Sequence, residues 1–74
     1  MHYVLIVPSI EHPEMVEVDI GFGAQRRFRS EVVRYLQSNG FGRWARLVNA
    51  GAELDEQISN EQFARLRREF QEAA

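Results

Sequence analysis

Seventy-four residues, 45% of them hydrophobic and 27% charged, with a formal net charge of -2, describe a single small globular domain over residues 1–74 with no room for a second. A chain of this length buries only about 60 to 65% of the surface it exposes when unfolded, too little to wall off a deep catalytic pocket. The absence of cysteine excludes disulfides, thiolate nucleophiles and cysteine-based zinc or iron–sulfur centres, and the absence of lysine excludes internal Schiff-base chemistry.

All nine basic residues are arginine, whose planar guanidinium suits carboxylates, phosphates and aromatic faces. They are not spread evenly. Residues 1–23 hold four acids and no Arg, residues 24–46 hold six Arg against Glu31, and residues 47–62 hold four acids. A near-neutral total therefore conceals a chain with strongly sorted charge. The apolar run Tyr3 to Val7 is too short to cross a bilayer or to form a signal-peptide core, so a cytoplasmic location without membrane contact is expected.

In chain order, Tyr3-Val4-Leu5-Ile6-Val7, closed by Pro8, has the pattern of a central strand covered on both faces. Ser9 to Pro13 reads as a loop. From Glu14 to Ile20 the residues alternate, placing Val16, Val18 and Ile20 on a buried side and Glu17 and Asp19 on a wet one, as in an antiparallel sheet with one open face. Gly21-Phe22-Gly23 then frees the backbone to enter a helix over Ala24 to Ser38, with Phe28, Val32, Tyr35 and Leu36 as its apolar stripe and Arg26, Arg27 and Arg34 on its outside. Asn39-Gly40 is a left-handed stop.

Arg43 to Asn49, with Trp44, Leu47 and Val48, is the candidate third strand, turned by Ala50-Gly51 into a fourth over Ala52 to Gln57 whose Glu53, Asp55 and Glu56 suit a sheet edge. Ser59 and Gln62 form a capping box, and Ile58 and Phe63 stand at staple spacing, so a helix starts at Asn60. Its inner stripe is Phe63, Leu66 and Phe70; Glu61–Arg65, Arg65–Glu69 and Arg68–Glu72 pair along its outside. The expected architecture is α+β, a small two-layer sandwich: a three- or four-stranded, mainly antiparallel sheet with two helices on one face, in the order ββαβ(β)α.

Motifs for chemistry are weak. Gly21-x-Gly23 resembles a phosphate-cradling turn only in part, because Arg26 stands where a third glycine is needed. Asn49 to Gln62 fails as a calcium loop, since Gly51 and Gln62 fall where carboxylates are required. His2, Glu11, His12 and Glu14 have metal-ligating groups but no spacing that converges them, and Glu17 with Asp19 is explained by strand alternation without invoking paired-acid catalysis. No catalytic residue, metal or cofactor is expected.

Two leads remain. One is the arginine group Arg26, Arg27, Arg29 and Arg34, joined by Arg43 and Arg46. The other is Tyr3 and Trp44, together with Leu5, which lie in the core or on the open sheet face depending on register, next to the acids Glu17 and Asp19. Together they point to a non-enzymatic protein-binding module, a stand-alone inhibitor or regulator of a larger macromolecular complex, comparable in size and chemistry to small phage or bacterial proteins that block host defence. Homodimerisation is a natural companion of so thin a core. The alternative is a nucleic-acid-binding regulator using the Arg face of the first helix, disfavoured by the sequence pI of about 5.6 and the acidic strands.

Overall fold

The hydrophobic alternation of the N-terminal half dominates the architecture. A computed structural model, which describes residues 1–71, contains β1 (His2–Pro8), β2 (Met15–Asp19), β3 (Gln25–Phe28), α1 (Arg29–Ser38), α2 (Gly42–Asn49), β4 (Leu54–Ile58) and α3 (Asn60–Phe70). The strands form one antiparallel sheet in the order β3-β2-β1-β4, with the helices packed on one side in a two-layer α+β fold. Between the layers lie Val4 and Ile6 of β1, Val16 and Val18 of β2, Leu54 and Ile58 of β4, and Val32, Leu36, Trp44, Val48, Leu66 and Phe70 of the helices.

Three local expectations are corrected. The segment Arg43 to Asn49 is helix α2, not a strand: Trp44, Ala45 and Val48 are buried while Arg46 is exposed, a helical spacing, whereas alternation would have driven Arg46 into the core beside Trp44 and Val48. Gln25 to Phe28 is a strand rather than the first turns of the helix. Pairing along β2 holds it extended, and Arg26 faces Glu17 of β2 in an ion pair of 2.9 Å. Strand β1 is central, as its composition implies, but covered on one face only, with Tyr3 50% and Leu5 38% exposed.

The helix ends follow local chemistry closely. Gly40 takes φ 82° after α1, and the Phe41 amide donates to the Leu36 carbonyl at 2.8 Å; Gly51 takes φ 80° after α2, and the Ala52 amide donates to Leu47 at 3.0 Å. Both are Schellman closures, which place a left-handed residue where glycine alone carries no steric cost. A Cβ at Gly51 would meet nothing within 4 Å, so Gly51→Ala is expected to cost about 1 kcal/mol through backbone strain alone, read as a lower urea midpoint with an unchanged slope. At α3 the capping box is complete: the Gln62 amide donates to Ser59 Oγ at 3.1 Å, and the Ser59 amide to Gln62 Oε1 at 2.9 Å. On its outside Glu61 and Arg65 pair at 3.1 Å, while the Arg68–Glu72 pairing lies outside the described residues.

Candidate binding face of the sheet

Registration of the four strands fixes what the uncovered face displays. Across it run four rows: Gln57 beside Tyr3; Asp55, Leu5 and Asp19; Val7, Glu17 and Arg26; and Met15 beside Phe28. Leucine, tyrosine and phenylalanine here stand in solvent, Phe28 being 47% exposed, so an apolar stripe crosses a face that also carries three carboxylates and one guanidinium. Phe28, read from the sequence as a buried helical residue, is here because β3 continues through it; the Arg29 amide still donates to the Glu14 carbonyl at 2.9 Å.

Two open hollows mark this face. One of about 400 Å³ lies at the Tyr3 end, lined by Tyr3, Leu5, Asp19, Phe22 and Asp55, with Phe63 at its back. Phe63 is held by ring stacking on His2 at 3.8 Å and by Phe22 at 6.0 Å. The Asp19 carboxylate accepts from the Gly21 amide at 2.7 Å, which turns the chain toward β3 and keeps that side chain at the rim. The other hollow, about 270 Å³, lies at the opposite end between Ile10, Glu11, Glu17 and Arg26.

The arginines expected to form one helix face are dispersed. Arg26 is on the open face, paired with Glu17. Arg27, its neighbour on β3, points to the helical side, where its guanidinium donates to the Glu69 carbonyl at 3.1 Å and lies 5.3 Å from the Phe70 ring centre. It straps the sheet edge to the end of α3, together with Gln25, whose Nε2 donates to the Phe70 carbonyl at 2.6 Å. Only Arg34 of the group is exposed on α1, since Arg29 donates to the Pro13 carbonyl at 2.9 Å. Arg43 belongs to α2 and bonds Glu56 at 2.6 Å.

Trp44 is the clearest departure from the aromatic lead. It is 4% exposed on α2, stacked on Phe41 at 4.6 Å, with its Nε1 donating to Glu56 at 3.3 Å. Its helical position puts it in the layer opposite Tyr3. Glu56 is thus held by both Arg43 and Trp44, and chiefly the Arg43 hydrogen bond holds its carboxyl below the usual carboxylate range. A group with a lowered folded pKa stabilises above its unfolded value and loses that contribution as pH falls through the folded one. Glu56→Gln should therefore be less stable than wild type near about pH 7, with the gap closing toward about pH 2 in thermal melts; a constant gap would contradict this.

Of the partner-binding residues read from the sequence, the structure gathers Tyr3, Glu17, Asp19 and Arg26 on one face. Leu5 stands with them, as the sequence suggests; Phe28 and Asp55 belong there too and were missed, although alternation along β4, once Leu54 is taken as core, would have found Asp55. Among the described residues no three His, Asp or Glu side chains come together as a metal site, and no helix is long and apolar enough to cross a membrane. Comparison of the chain with known protein families, curated proteins and solved structures finds no match.

Proposed function

We propose that this chain is a non-catalytic protein-binding module whose contact surface is the uncovered face of its sheet, and that it acts as an inhibitor or regulator by occupying a partner's surface. One observation carries the reading: Tyr3, Leu5 and Phe28, at 50, 38 and 47% exposure, stand on a regular sheet face over which no described element packs. Exposed aromatic and aliphatic side chains on a rigid strand scaffold lose little conformational entropy on association, and such anchors dominate protein interfaces. The surrounding acids favour protein over nucleic acid, because a phosphate backbone would meet Glu17, Asp19 and Asp55.

The test is differential capture from the native host. Proteins retained by the wild type and by Arg34→Glu, but lost from Tyr3→Glu and Phe28→Glu, are the expected result. Capture that survives both sheet substitutions and fails with Arg34→Glu, or retention of nucleic acid alone, would refute the proposal.

A further inference from the structure

Granting that the open sheet face is the contact surface, the geometry points to an arginine- or lysine-bearing segment of the partner protein as its occupant, with the cationic side chain lying over Leu5 between Asp19 and Asp55. Leu5 pairs with Asp19 on one side and with Asp55 on the other, so the two carboxylates flank one apolar side chain across three strands, their backbones about 10 Å apart by strand spacing. The hollow at this place holds about 400 Å³, and Tyr3, half exposed, lines it as well. A long cationic side chain suits each part of that surface: the methylene stem covers Leu5, the charged head reaches the acids, and the ring of Tyr3 offers its face to the cation.

A second copy of the chain is the poorer occupant on electrostatic grounds. The face carries Glu17, Asp19 and Asp55 against Arg26, and Arg26 is already paired with Glu17, so face-to-face stacking would set acid against acid.

The probe is a library of random peptides displayed on phage and selected against the full chain, followed by synthetic versions of the enriched peptides. Enriched sequences are expected to share an Arg or Lys beside an apolar residue. Replacing that Arg with neutral citrulline should weaken binding about tenfold, as should Asp19→Asn with Asp55→Asn in the protein, and the two changes combined should weaken it little further. Asparagine keeps an acceptor for the Gly21 amide, so the turn is preserved, and an unchanged amide spectrum verifies the fold.

Peptides that need Tyr3 but are acidic or neutral, and that ignore both Asp substitutions, would overturn the cationic occupant and leave the sheet-face reading standing. Failure to select any peptide whose binding depends on Tyr3 would overturn both. A concentration-dependent dimer in sedimentation, abolished by Tyr3→Ala, would make the second copy the occupant and overturn the inference.

Discussion

Phe70→Ala is expected to remove most of the stability of the domain, about 3 to 5 kcal/mol of the roughly 4 to 11 kcal/mol typical of this chain length. The ring is 1% exposed and closes the end of the core where three elements meet. Tyr35 of α1 packs edge-on to it at 5.3 Å, and the Arg27 guanidinium of β3 covers it at the same distance. Truncation leaves a cavity and also strips the apolar support from Arg27, so the sheet edge and the end of α3 loosen together. Leu66→Ala, at 0% exposure one turn earlier, should follow at about 2 to 5 kcal/mol. Phe28→Ala supplies the contrast: with the ring half in solvent, the loss should stay near 1 kcal/mol or less by urea titration. Equal destabilisation at Phe28 and Phe70 would mean that the sheet's outer face is covered in solution.

The largest effect on binding is expected at Tyr3. Tyr3→Ala should weaken partner affinity about thirtyfold or more, the magnitude of an interface hot spot, and Phe28→Ala should follow it. Both should leave the melting temperature within a few degrees, because neither side chain belongs to the buried set. Arg34→Ala, on the exposed side of α1, should change affinity less than threefold. Titration calorimetry with the captured partner gives all three values. A ranking with Arg34 first and Tyr3 last would return the arginines of the helical layer to the centre of the account.

Elements with a unique local signal were legible in the sequence. The alternation of Val16, Val18 and Ile20 identified β2 and the buried face, and the Ser59–Gln62 box placed the start of α3 at Asn60. The acidic edge strand β4 was also foreseen, with its ends shifted to Leu54 and Ile58. The sequence is ambiguous where a short segment admits two periods. Arg43 to Asn49 can be read as alternating or helical, and its burial decides for the helix. Gln25 to Phe28 contains two arginines and few strand formers, and long-range pairing with β2 outweighs its local preferences.

Strand β3 disperses the arginines of the candidate site. A helix over Ala24 to Ser38 would have aligned Arg26 and Arg27 with Arg34, whereas consecutive residues of a strand face opposite ways, one to Glu17 and the other to Glu69. Trp44 moved with α2 from an available position to the core. Tyr3, Glu17 and Asp19 remained together because they depend only on β1 and β2, the pair whose pattern is least ambiguous.

Hydroxyl-radical footprinting of the chain with and without its captured partner tests the central claim most directly. Protection of Tyr3, Leu5, Met15 and Phe28, with Tyr35 and Leu47 on the helical side labelled as in the free protein, is the result expected. Full labelling of the four sheet residues in the complex, with protection confined to the helices, would contradict it.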